Sequence, residues 1–196
     1  YASVCGLAPS LSGSARRDCP ETGYYWLGDG DDCLLAVGGD LAAKHIPAHA
    51  HAHPAQVLAW VDGCPVLTDT GVFEYEAGCA RWCARSVQSH NTIQVDDVEP
   101  VRLGGSFYWF GNVTTDVYWD DNDLLMTYNV GGIGQPSYSH RRRVEHDADG
   151  WIITDDLTGL DGTAIVRFHI HPALTTSTED EIARIVDATT DEHALT

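Results

Sequence analysis

Short apolar runs recur through most of the chain, and each ends in a turn rich in glycine or aspartate. Those over Tyr24–Leu27, Cys33–Val37, Val57–Val61 and Pro65–Asp69 lead into Gly28–Asp31, Gly38-Gly39, Asp62-Gly63 and Gly71. More follow over Thr92–Val95, Ser106–Phe110, Val113–Trp119, Leu124–Tyr128, Arg141–Glu145, Trp151–Asp155 and Ile165–His169. Asp62-Gly63 between two such runs predicts a tight hairpin, because both residues accept positive φ. Strands this short and this regularly punctuated predict an all-β fold, an antiparallel β-sandwich with few short helices. Helical patterning is confined to residues 78–86 and 179–188, the second acidic at its start. Residues 1–22, rich in Gly, Ser, Pro and Ala, read as a linker or tail, and 23–196 as the folded domain.

A chain of 196 residues suits one domain with a real core. Its formal net charge is −18, and Lys44 is its one lysine. Such a surface argues against nucleic acid or an anionic membrane as a partner, and it fits a protein adapted to high salt. It also means that an anionic ligand needs a locally basic pocket. No stretch approaches the apolar length of a membrane span. Cysteines at 5, 19, 33, 64, 79 and 83 lack zinc-ribbon spacing and read as small hydrophobes with reduced thiols. A Cys5–Cys19 disulfide is the alternative. The pair Cys79 and Cys83 is a weak metal signal.

The chemistry concentrates in Pro47–His53, where His49, His51 and His53 alternate with alanine. On a strand these three imidazoles share one face. Stacked histidines want a metal, an anionic ligand or solvent. A predicted strand, turn and strand bring Asp69 back beside His51, and a third segment delivers His90. Two imidazoles and a carboxylate form a zinc-type ligand set: His51, Asp69 and His90. His49 and His53 cannot join the same ion without strain, and are assigned to substrate contact and support. Tyr75 and Arg81 fall between Asp69 and His90 and are candidate cleft residues. Arg141-Arg142-Arg143 reads as strand arginines facing acidic neighbours. Phe107–Phe110 is expected to pack in the core. His169 and His171 are read as structural.

An ordered series of motifs resembles the C-terminal β-sandwich of heparinase II/III-like polysaccharide lyases, a group that includes oligoalginate lyases. It runs from Thr22 to Pro172. Ala48-His49-Ala50-His51-Ala52 resembles the family's His-Gly-His-Ala-Asp, and Pro65–Gly71 its Pro-Leu-Leu-Val-Asp-Pro-Gly. Arg85-Ser86, His90-Asn91-Thr92, His140-Arg141-Arg142, Trp151–Leu157 and Arg167–Pro172 continue the match. The resemblance implies a supersandwich-like fold. It also implies one mainly structural zinc on His51, Asp69 and His90, and His49 against the substrate carboxylate. His53, Tyr75, Arg81 and Arg85 are the remaining candidate substrate-binding residues. The implied reaction is β-elimination in an acidic polysaccharide or oligosaccharide. The implied partner is an N-terminal (α/α) toroid that carries the key Asn and Tyr, so this chain is expected to form one wall of the cleft and to be inactive alone. Family members are often periplasmic or secreted. Two departures stand out: His53 replaces the signature aspartate, and Cys83-Ala84 replaces the Tyr-Phe before Arg-Ser. A non-catalytic carbohydrate-binding module is the competing reading.

Overall fold

A computed structural model describes residues 16–42, 47–131, 137–148, 150–160, 162–179, 182–187 and 194–195. Five strands form an antiparallel meander in chain order: β1 (Arg16–Cys19), β2 (Tyr24–Asp29), β3 (Asp32–Val37), β4 (Gln56–Val61) and β5 (Cys64–Leu67). Helix α1 (Cys79–Arg85), the short β6 (Ile93–Val95) and the hairpin of β7 (Arg102–Gly104) and β8 (Tyr108–Phe110) follow. A second meander contains β9 (Asn112–Asp120), β10 (Asp123–Gly131), β11 (Tyr138–Asp147) and β12 (Gly150–Thr158). β13 (Ala164–Val166) returns to pair with β6. β14 (Leu174–Glu179), β15 (Ile182–Asp187) and β16 (Ala194–Leu195) close the chain as a small sheet.

The core lies between the two large sheets, as a β-sandwich requires. Tyr25, Leu27, Leu34, Ala36 and Val57 from the first meet Leu124, Met126, Tyr128 and Val144 from the second. Alternation on β10 sends Leu124, Met126, Tyr128 and Val130 to one buried face. The Tyr128 hydroxyl is placed 3.2 Å from the carbonyls of both Val37 and Gly39, tying the sheets together. Asp62 and Gly63 adopt φ of 50° and 68°, the turn their identities predict between β4 and β5. A side chain at Gly23 would collide with the Gly39 backbone, so the chain can close there only on glycine.

Several expectations are corrected. Arg16–Cys19, read as tail, pairs with β2. Of the predicted helix at 179–188, the described residues are strand: Glu179 ends β14, and Ile182–Asp187 form β15, which pairs back on it. Pro47–His49 is a 3-10 turn, and the histidines after it precede β4 rather than lying on a strand. Phe107, Tyr108 and Phe110 are exposed rather than core. Cys64 is disulfide-bonded, against the reading of reduced thiols, whereas Cys19, Cys79 and Cys83 carry free thiols. Among the described residues no helix is long and apolar enough to cross a membrane.

Glu99 braces the turn that leads to the last candidate ligand. Its Oε2 accepts the Val87 N–H at 2.9 Å. Burial pushes its carboxyl up to about 7, against the pull of that hydrogen bond and of Arg167. A carboxyl raised in the folded state supports folding below its unfolded value, and that support is lost as pH rises through the folded value. Glu99→Gln is therefore expected to gain about 1–2 kcal/mol over the parent between roughly pH 4.5 and 7, after discounting for partial solvent exposure. Urea denaturation of both proteins across that range checks it; a constant difference would contradict it.

Candidate functional site

The loop before β4 is held from beneath by α1. Arg81 and Arg85 lie one turn apart on the inward face of the helix, and each is 1% exposed. Arg85 donates from Nε to the Ala50 carbonyl at 3.0 Å, and from Nη1 and Nη2 to those of Gly105 and Tyr108. Arg81 donates to Ser106 O at 3.0–3.1 Å and reaches Ala48 O at 3.4 Å. The Ala52 N–H closes the frame on Arg85 O at 2.8 Å. With the carbonyls of Ala48 and Ala50 turned to the arginines, the imidazoles between and beyond them line an open cavity of about 340 Å³. The cavity sits on the outer face of the first sheet, walled by Tyr24, Leu35, Val37, Gln56 and Leu58 together with His49, His51, His53, Asp69 and His90.

The other side of the cavity is stapled by His90-Asn91-Thr92. Asn91, fully buried, donates to the carbonyls of Val57 and Thr68 and accepts the His169 N–H at 2.6 Å. Thr92 Oγ1 donates to Pro54 O. His90 is thereby aimed at Asp69, with Nδ1 2.7 Å from Oδ2. Asp69 also accepts from Gln56 Nε2 and from the Gly71 N–H, each at 2.7 Å. Burial alone would raise this carboxyl, but the His90 bond and the two other donors outweigh it and hold it down at about 2.

Three imidazole rings gather here. His51 lies 5.2 Å from His90, His53 lies 5.4 Å from His90, and His51 and His53 are 6.2 Å apart, centroid to centroid. Burial, followed by the neighbouring rings, pushes His51 down to about 3 and His53 to about 4, so both are neutral near pH 7. His53 Nδ1 is 2.8 Å from the His51 carbonyl. His90 Nε2 is buried without a hydrogen-bond partner among the described residues. Among those residues no group of three or more His, Cys, Asp or Glu side chains stands in ready ligating geometry. The donor set still suits a borderline ion: neutral imidazoles, an ionised carboxylate and one orphaned ring nitrogen.

The profile of the heparinase II/III-like C-terminal family matches residues 12–195. The chain belongs to that family. Two solved structures of heparinase III (the BT4657 gene product, one with methylated lysines) are similar to this heparinase II/III-like domain, with TM-scores of 0.63 and 0.64 over 90% of its length. Their sequences are 16% and 15% identical to it, a likeness of fold alone. The domain spans 27% of the length of those chains. No curated protein sequence matches it.

Within this heparinase II/III-like domain, the structure brings together His51, Asp69 and His90, with His49 and His53 in the same cavity. His49 is exposed and stands edge-on to Tyr75, with centroids 5.7 Å apart. Tyr75 stacks at 6.3 Å on Phe107, and the Arg81 guanidinium carbon lies 5.0 Å from the Tyr75 ring. Arg81 and Arg85 require a correction. Both guanidiniums point into carbonyl cages beneath the cavity, so direct contact with a sugar is not what the structure offers. Among the described residues neither has a carboxylate partner, and both lie under the histidine loop. Arg141-Arg142-Arg143 does face acids, in the pairs Arg141–Asp156, Arg142–Asp155 and Arg143–Asp123. A larger cavity of about 510 Å³ lies elsewhere, lined by Glu21, Asp40 and Asp116, and its walls repel an anion. Tyr24, Gln56, Asn91 and Arg142 belong to the site or its frame and escaped the sequence reading. Only Asn91 carried a signal, its place in the His-Asn-Thr motif.

Proposed function

We propose that this chain is the sandwich domain of a polysaccharide lyase acting on uronic-acid-containing glycans, and that its histidine cavity forms one wall of the substrate cleft. The observation that carries the reading is electrostatic. On a chain of net charge −18, two buried arginines that have no carboxylate partner among the described residues lie directly beneath the loop bearing His49 and His51. Their field makes this the place where an anionic sugar is drawn in. His49, exposed at the rim, is the group that meets the uronate carboxylate, and Tyr75 and Phe107 offer ring faces beside it.

In the proposed reaction a base removes the proton at C5, the electron pair forms the C4–C5 double bond, and the C4–O bond breaks with a proton delivered to the leaving oxygen. The first step needs the neighbouring carboxylate neutralised, and His49 contributes to that by hydrogen bonding. The remaining acid and base groups are assigned to an N-terminal toroid domain. Zinc would be held by His51, Asp69 and His90, and it would pin the histidine loop, β5 and the His-Asn-Thr segment to one point. This role is structural, and no proton transfer passes through the ion.

Incubation with heparan sulfate or alginate tests the reading. The isolated chain is expected to release little or no unsaturated uronate by absorbance. It is expected to bind uronic-acid oligosaccharides saturably, more weakly as salt rises and more weakly in His49→Ala. Rapid product release would overturn the assignment of acid and base elsewhere, and absence of binding would overturn the cleft. The exposed rings of Phe73, Tyr108 and Phe110 favour a second reading, a binding module without catalysis. Binding that survives His49→Ala but is lost on substituting those rings would select it.

A further inference from the structure

On the outward face of α1, opposite the two buried arginines, Cys79 and Cys83 sit one helical turn apart with Trp82 beside them. Both thiols are free, Cys79 is exposed, and Cys83 is partly so. Their sulfurs are 3.8 Å apart. Two thiolates bound to one tetrahedral ion at zinc–sulfur distances of about 2.3 Å are themselves separated by about 3.8 Å. We propose that Cys79 and Cys83 form a two-thiolate site for a soft or borderline d¹⁰ cation of the zinc and cadmium class, separate from the histidine cavity. Helix geometry presets the bite, so binding requires the loss of two thiol protons and little rearrangement of the backbone.

Thiolates select softer ions than an imidazole and carboxylate set does, so the two sites differ in preference as well as place. Water completes the coordination, as expected of an exposed site with no third protein ligand among the described residues. Because binding displaces two thiol protons, affinity increases with pH. Any metal count on the intact chain then includes this site, and zinc found in the purified protein is not by itself evidence for the histidine set.

The full chain, with its thiols first titrated as free, is to be mixed with cadmium or cobalt(II) and followed by thiolate-to-metal charge-transfer absorption. The parent is expected to take up one thiolate-bound equivalent. Cys79→Ser and Cys83→Ser are each expected to weaken it by about tenfold or more, whereas Cys19→Ser and His51→Ala leave it in place. Cys79 is exposed and Cys83 half-buried, and circular dichroism verifies that each variant keeps its sheet structure. Absence of the absorption, its survival in either serine variant, or its loss in His51→Ala would each overturn the proposal.

Discussion

Arg142→Met is expected to cost about 3–5 kcal/mol of folding stability. Arg142 is wholly buried between the sheets. Its Nε and Nη2 meet the two oxygens of Asp155 at 2.7 and 2.9 Å, the fork that suits a carboxylate. Its Nη1 donates to the carbonyls of Ala55 and Asn91, both at 2.9 Å. His140 Nε2 shares Asp155 Oδ1 at 2.8 Å. Removing the guanidinium leaves a largely desolvated carboxylate, takes a donor from the Ala55 and Asn91 carbonyls, and frees the histidine loop and the His-Asn-Thr segment from a common anchor. The double variant Arg142→Met/Asp155→Leu is expected to recover a good part of the loss, because it removes the stranded charge. Asp155 is held down at about 2 by His140 and Arg142, in spite of burial. A carboxyl depressed in the folded state contributes stability above its unfolded value and loses it as pH falls through the folded one. The parent is therefore expected to weaken between about pH 4 and 2, and the double variant less so. Urea denaturation of the three proteins checks both parts. A loss under about 1 kcal/mol in Arg142→Met would show that the pair is not the anchor described.

Sequence periodicity alone located the meanders, because alternation and Asp-Gly turns are local properties that packing here reinforces. The failures have particular causes. The run before β4 alternates like a strand, yet Arg81 and Arg85 take the Ala48 and Ala50 carbonyls that a sheet neighbour would need. The histidines still converge, because the frame, not the strand period, aims them. Residues 179–188 look helical by charge placement, but Ile182, Ile185 and Val186 suit a strand, and the pairing of Ile182–Asp187 with β14 decides the matter for those described. Phe107–Phe110 has the composition of a core strand. It is exposed because β7 and β8 pair only with each other and only Trp109 packs against the main core. Arg142 read as one of three strand arginines facing acidic neighbours, and it does pair with Asp155, but it is also the one of the three that is wholly buried. Its burial follows from the parity of β11, where His140, Arg142 and Val144 all face inward. Nothing in an Arg-Arg-Arg run says which member that is.

Asp69→Asn is expected to lower zinc affinity tenfold or more, and to cost the metal-free protein about 1–3 kcal/mol. The carboxylate now accepts from three donors: His90, Gln56 and the Gly71 N–H. An amide offers one oxygen, and its NH₂ must face one of those donors, so at least one contact turns repulsive. The same substitution separates two ways in which Asp69 can serve the ion. As a ligand, its loss removes a bond and the negative charge, and affinity falls in proportion to neither Gln56 nor Gly71. As the acceptor that orients His90, its loss acts through the imidazole, and His90→Ala then costs more than Asp69→Asn. Competition against a chelator, in a Cys79→Ser/Cys83→Ser background so that the helix thiols take no part, gives both affinities. Zinc binding unchanged in both variants would remove the ion from this cavity. The buried Nε2 of His90 would then need a proton or a water as its partner.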